Sequence, residues 1–311
     1  MTQLMSTPLP AQTTDSSTKA TPPPEHSLGR KVAVLAIVIL PFLGLVASVV
    51  FFWGWGLSWV ELSLFAGMYL LTGFGITVGY HRLFTHNSFE TNKVVKCILG
   101  ILGSMAVQGP LFMWVAFHRR HHQYSDQHND PHSPHNHGEG IVGVLRGVWH
   151  AHLGWMFQTP PSFSHYIKDL RQSKTLCVVS NLFVVWVALG ILIPTVLGYL
   201  LWGGWIGAVL GLTWGGLVRI FFVHHVTWSF NSVCHLWGQK PFPSRDESRN
   251  NVVVGILGLG EGWHNNHHAF PTSARHGFHW WQIDVSYWVI RLLAMVRLAW
   301  NVKLPAHVTG T

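Results

Sequence analysis

The sequence predicts an all-α integral membrane protein. It has four transmembrane helices in two hairpins and a cytoplasmic helical cap that carries boxes of histidine. Three observations predict it. Only 10% of the 311 residues are charged and 49% are hydrophobic, and the apolar runs are long enough to span a bilayer. Histidines gather in three short boxes at the ends of apolar stretches: His81-Arg-Leu-Phe-Thr-His86, His118-Arg-Arg-His121-His122 and His264-Asn-Asn-His267-His268. Nearly every Lys and Arg falls on the histidine side of the four spans, and the linkers on the other side have none.

In chain order, residues 1–28 are rich in Pro, Thr and Ser and read as a disordered tail. Residues 30–303 form one domain, followed by a short tail at 304–311. The spans are expected at about 32–53, 57–80, 176–197 and 202–223, the second ending directly at His81. The run Val94–Phe117 is apolar enough to cross. Crossing would put the first two boxes on opposite faces, so it is expected to dip or pack without spanning. Trp280–Trp300 is expected to be one amphipathic helix on the membrane, with a polar stripe at Asp284, Tyr287, Arg291, Arg297 and Asn301. Arg219 lies near the inner end of the fourth span, where it can snorkel or pair. The positive-inside rule places both termini and all three boxes in the cytoplasm.

The net charge of +8 does not mark a nucleic-acid binder, because the basic residues flank apolar spans and form no stripe. Cys97, Cys177 and Cys234 have no metal-knuckle spacing and read as buried packing residues.

Neutral imidazole is a good ligand for iron, zinc, copper or nickel, and eight such side chains exceed what one ion can use. Positions i, i+3 and i+4 share a helix face, so each H-x2-H-H box can aim three rings at one point. In an ideal α-helix, i and i+5 lie roughly 140° apart, so His86 is expected beyond the helix that carries His81.

These boxes resemble those of the membrane-bound fatty acid desaturases, closest to the delta-9 acyl-CoA and acyl-lipid (stearoyl-CoA-type) branch. Supporting fragments are Gly79-Tyr80 before the first box, Ser125-Asp126, Asp130-Pro131-His132, His152-Leu153-Gly154-Trp155, Asn231-Ser232-Val233-Cys234-His235 and Glu261-Gly262-Trp263 before the third. The continuation Ala269-Phe270-Pro271-Thr272 looks like the bacterial members, which implies a bacterial cytoplasmic membrane. The resemblance implies two Fe2+ ions held by the eight box histidines and His235, with Asn231 meeting one iron through water. One iron would take His81, His118, His264 and His267. The other would take His86, His121, His122, His235 and His268. It implies oxygen-dependent removal of one hydrogen from carbon 9 and one from carbon 10 of a saturated acyl chain. The electrons would come from an external ferredoxin or cytochrome with its NAD(P)H reductase. Arg119, Arg120, Arg245 and Arg249 are candidates to dock that donor, with a lipid-facing role as the alternative. Animal acyl-CoA members carry Asp just before the second box; here the residue is Phe117.

Around these ligands, Glu261, Asp126 and Asp130 are candidates to orient rings from behind. His132, His135 and His137 are expected in solvent; His224 and His225 are expected to hydrogen-bond at the interface. His150, His152, His165, His276, His279 and His307 receive a structural reading. Counting back from His81 in fours gives Thr77, Gly73 and Tyr69 on one helix face. Gly73 lies roughly 12 Å from His81 along the helix, close to the length of an eight-carbon tail, so this face is a candidate tunnel wall. Helix packing is the competing explanation for Gly73. The nearest rivals are a hydroxylase with the same metal centre and a desaturase of other regiospecificity. A transporter would place ligands near the bilayer midplane, and a zinc protease would carry H-E-x-x-H, which is absent.

Overall fold

The computed structural model describes residues 28–158 and 164–305. The expectations for 1–27 and 306–311, His307 included, lie outside the described residues. Helix α1 (Leu28–Phe52) is followed by α2 (Trp59–Phe74), which continues as a π-helix over Gly75–Thr85. Ser58 and Glu61 start α2 as a capping box: Ser58 N donates to Glu61 Oε2 (2.6 Å) and Val60 N to Ser58 Oγ (3.2 Å). Then come α3 (Lys93–Met105), α4 (Leu111–Tyr124), α5 (Gly140–His152), α6 (Lys168–Arg171) and α7 (Lys174–Asn181). The second apolar hairpin contains α8 (Phe183–Gly198), α9 (Gly204–Gly211) and α10 (Arg219–Ser232), joined through π-helical turns. Short helices α11 (Val252–Leu257) and α12 (His264–Ala269) precede α13 (Val285–Met295).

Among the described residues, three continuous helical stretches are long and apolar enough to cross a bilayer: Leu28–Phe52, Trp59–Thr85 and Phe183–Ser232. The last has 50 residues, about 75 Å if straight. It doubles back at Gly203 and Gly204, whose φ angles of 92° and 69° suit glycine alone. The two arms then touch closely enough that a Cβ on Gly198 would sit 2.2 Å from the Gly207 carbonyl oxygen. The third apolar run begins at Phe183 rather than Leu176, because Leu182 leaves the helix (ψ 20°) and 174–181 forms its own helix.

The run 94–117 is not one helix. Val107 (φ 61°) and Gly109 (φ 102°) reverse the backbone, and Pro110 caps α4. The 13-residue α3 and 14-residue α4 are each short of the ~20 residues a span needs. Helix α3 lies against the π-helical end of α2, so close that a Cβ on Gly75 would strike Gly103 N at 2.1 Å.

The expected helix over Trp280–Trp300 is shorter, because Asp284 is a buried N-cap and not part of an exposed stripe. Its Oδ1 accepts from Tyr287 N (2.9 Å) and lies 2.9 Å from Arg82 NH2. Beyond Met295, Arg297 turns left-handed (φ 59°), and β2 (Ala299–Trp300) pairs antiparallel with β1 (Glu90–Thr91). Of the cysteines only Cys234 is buried; Cys97 and Cys177 are half-exposed. Arg219 does not snorkel: it is fully buried on three backbone carbonyls.

Candidate metal centre

The first box is shaped by the π-helix. Its i→i+5 bonding stacks residues five apart, and His86 N donates to His81 O across that interval (3.2 Å). His86 follows the helix, and the two rings lie 4.8 Å apart between centroids. Helix α4 carries the second box and α12 the third. His235 stands in the turn after α10 and not on it, because the helix ends at Ser232.

These elements bring the nine predicted imidazoles into two adjacent groups. The nitrogens of His81, His86, His118, His122 and His267 all lie within 4.8 Å of one another, as do those of His121, His235, His264 and His268. This corrects the expected partition. His264 joins His121, His235 and His268, while His86 and His122 join His81 and His118. Among the described residues, neither group includes a carboxylate or a thiol.

Four of these nine rings have a carboxylate behind them. Nδ1 of His81 is 2.6 Å from Glu261, that of His121 3.0 Å from Asp130, that of His235 2.8 Å from Asp126 and that of His268 2.7 Å from Asp246. A carboxylate accepting at Nδ1 keeps the proton there and turns the Nε2 lone pair inward. Inside, Nε2 faces Nε2: His81 to His267 at 3.0 Å, His267 to His122 at 2.9 Å, His264 to His235 at 3.1 Å and His264 to His268 at 3.1 Å. Lone pairs converging at such distances repel unless a cation lies between them, so this all-nitrogen donor set fits metal ions such as iron.

The charges agree. Burial, reinforced by neighbouring imidazoles, holds His86, His118, His122, His264 and His267 well below the usual histidine value, hence neutral. Burial alone would raise the four carboxylates, but their histidine neighbours outweigh it and hold each below the ordinary range. For Glu261, Arg82 adds to this pull from 3.1 Å.

Sequence reasoning missed Asp246 and the parts that Asp284 and His276 play. Asp246 sits in a loop with no helical spacing to any box. His276 is buried, its Nδ1 3.2 Å from Glu261, and its ring is 4.5 Å from His267. A signal did exist for Glu261 and Asp284: Arg82, inside the first box at the end of an apolar helix, needs a buried anion. His132 is buried rather than solvated, its ring 4.6 Å from His121. His135 and His137 are half-buried and bonded to the carbonyls of His235 (3.0 Å) and Ser133 (3.1 Å). His224 donates to Ala106 O (3.0 Å), and His225 pairs with His152 (3.0 Å). Arg119 clamps Asp169 and the Phe84, Thr85 and Tyr166 carbonyls. Arg249 pairs with Glu247 (3.1 Å) and Arg120 bonds Asn129 O (3.0 Å), whereas Arg245 is exposed.

An apolar cavity of about 330 Å³ ends on both groups, with His81 and His118 from one and His264 from the other in its wall. Asn231, Thr77 and Phe117 also line it, and α1 contributes Arg30, Ala33, Val34 and Ile37 along one face. Tyr69 and Gly73 lie outside it, around a pinched cleft of about 10 Å³ shared with Thr77, Phe230 and Leu259. Beyond the pinch, Tyr69 borders a further apolar cavity of about 380 Å³.

Helices long and apolar enough to cross a membrane, a paired histidine centre and an apolar cavity ending on it fit a membrane-associated oxidoreductase acting on fatty acyl chains. The chain belongs to the fatty acid desaturase family, whose model matches residues 58–301. It is 48% identical to a hex-5-enoyl-[acyl-carrier protein] acetylenase of Moorena producens, covering 86% of this chain and 84% of that one. It is 39% identical to an sn-1 stearoyl-lipid 9-desaturase of Synechocystis (80% and 73% covered). It is 36% identical to a palmitoyl-monogalactosyldiacylglycerol delta-7 desaturase of Arabidopsis thaliana (88% and 69%).

Proposed function

We propose that this protein introduces a cis double bond at carbon 9 of a saturated long-chain acyl group carried on a membrane lipid. It would do so with two iron ions held by the nine histidines, one of them also met by Asn231 through a water. The observation that carries the proposal is the cavity whose wall includes members of both histidine groups, so one methylene pair can sit beside both metal positions. Bound iron, with O2 as co-substrate, supplies the oxidising power that an unactivated methylene requires. In balance, the acyl chain gives two hydrogens, an external ferredoxin or cytochrome with its reductase gives two electrons, two protons enter, and two waters leave. The residues hold and exclude. Glu261, Asp126, Asp130 and Asp246 fix ring orientation; Trp114, Phe117 and Phe230 keep water from the chain. Phe117, apolar and in the cavity wall, supports a lipid-linked chain over acyl-CoA.

The topology that goes with this reading has four spans. The arms of Phe183–Ser232 count as two, and the histidines face the cytoplasm of a bacterial inner membrane. The basic residues on that side support it.

A second reading is favoured by the 48% identical acetylenase: oxidation of an existing double bond to an alkyne on a carrier-protein-linked short chain. The pinch at Gly73 bears on the choice. An eight-carbon tail beyond carbon 10 needs Phe230 and Leu259 to part, and a short chain does not. Product profiling in a bacterial host separates the readings. Cis-9 monoenes in membrane lipids are expected. Alkynyl products from a supplied enoyl chain would favour the acetylenase. Hydroxylated products alone would refute both.

A further inference from the structure

A polar cavity of about 350 Å³ lies where α13 meets the loop before it and shares no residue with the acyl cavity. Two guanidiniums, Arg275 and Arg291, line it. The lining carboxylate, Asp284, is already occupied: it faces Arg82 and receives the backbone N–H groups of His276 (2.6 Å) and Gly277 (3.2 Å). Arg275 is held in place by the Gly277 carbonyl (2.5 Å) and lies over the Tyr287 ring. Arg291, one turn after Tyr287, is exposed. Among the described residues no carboxylate pairs with either arginine. Two cations therefore face one cavity whose lining carboxylate is committed to Arg82.

The rim says where this cavity sits. Trp280 is 92% exposed and Trp288 55%. From Trp288 the exposed face of α13 runs on through Leu292, Met295 and Val296, an apolar stripe at helical spacing. Indoles beside an exposed apolar stripe mark the depth of lipid headgroups, with the stripe in the acyl region. We propose that this cavity binds the phosphate of an anionic membrane lipid, whose chains lie along Trp288, Leu292 and Met295. Free phosphate offers the same chemistry; the indole rim and apolar stripe favour the lipid.

The test uses metal-loaded, full-length protein taken from vesicles of mixed phosphatidylglycerol and phosphatidylcholine, with retained lipid read by native mass spectrometry. The wild type retains phosphatidylglycerol selectively. Removing one charge near the surface weakens binding about fivefold, so Arg291→Gln shows that loss and Arg275→Gln/Arg291→Gln about thirtyfold. Arg291→Lys stays near wild type, and Arg297→Gln, an exposed basic residue outside the cavity, leaves the preference intact. Iron content confirms that each variant is folded, and Arg291→Gln alone carries the test where the double variant loses iron. Equal retention of both lipids overturns the proposal. So does an equal loss in Arg297→Gln, which means diffuse attraction rather than a site. So does inorganic phosphate raising the thermal midpoint as far as the anionic lipid does.

Discussion

Asp246→Asn isolates the orienting role of a carboxylate with almost no change in shape. Asp246 Oδ2 takes the His268 Nδ1 proton at 2.7 Å, and Oδ1 takes Ser248 N (3.1 Å) and Ser248 Oγ (2.6 Å). The Ser248 bonds require the asparagine oxygen on that side, so the amide NH2 must face His268. Nδ1 then becomes the acceptor, and the ring proton moves to Nε2, where it points at His264 and the metal position. A charge-assisted hydrogen bond contributes about 1.5–3 kcal/mol. Loss of such an orienting partner lowers metal affinity about 10–100-fold, or about 1.4–2.8 kcal/mol, and the two magnitudes agree. The assay is iron content after anaerobic purification against a graded chelator, read beside product formation. Iron should fall toward one equivalent from two, because the group of His121, His235, His264 and His268 is weakened and the other is untouched. Glu90→Gln, which alters an exposed acceptor of Trp300 and Asn301, should change nothing. Wild-type chelator resistance and activity in Asp246→Asn would refute the tautomer argument.

Two further outcomes are expected. Gly73→Leu adds a side chain toward Leu259 Cδ1, which a Cβ would meet at 2.9 Å; it should shift products toward shorter chains with iron content unchanged, whereas uniform loss across chain lengths would mean a packing role. Metal-free protein should lose stability on acidification from pH 7 to 5: burial, against the opposing pull of Asp246, lowers His268 to about 4, so the unfolded chain binds the proton first, and this one group removes about 2 kcal/mol by pH 5. Chemical denaturation at the two pH values checks it, and a flat profile would count against buried neutral histidines.

The sequence displayed the ligands because they are local: three boxes at helical or near-helical spacing on ends of apolar runs. It hinted at Glu261, three residues ahead of His264, and at Asp126 and Asp130 beside the second box. It hid Asp246, which reaches His268 only through the folding of the 233–251 loop. The division into two groups was also hidden. Helix spacing says which rings share a face, but the way α4, α12 and the π-helix cross decides which rings meet, and that crossing moved His264 to the side of His121. The pinch beyond Thr77 was hidden as well. Thr77 lines the acyl cavity, but Phe230 and Leu259, from distant parts of the chain, close the way to Gly73 and Tyr69.

That the first two boxes meet at all depends on α3 stopping short, and Arg219 shows how it is held. Its NH1 donates to Met105 O (2.8 Å), a carbonyl at the C-terminal end of α3 that has no helical partner. Its NH2 donates to Gly190 O (2.8 Å). That carbonyl is also orphaned, because the residue four ahead is Pro194, which has no N–H. One turn and a residue further along α10, His224 Nε2 donates to Ala106 O (3.0 Å), the next carbonyl after Met105. A cation and an imidazole from one helix thus satisfy three carbonyls that two other helices leave open, and the negative end of the α3 dipole faces the guanidinium. A buried arginine without a carboxylate would be costly in an apolar hairpin. Here its charge is met by carbonyl dipoles that would themselves be costly if unpaired. The chain turns back at Val107 as a consequence, and α4 returns His118 to within 4.5 Å of His81, ring to ring.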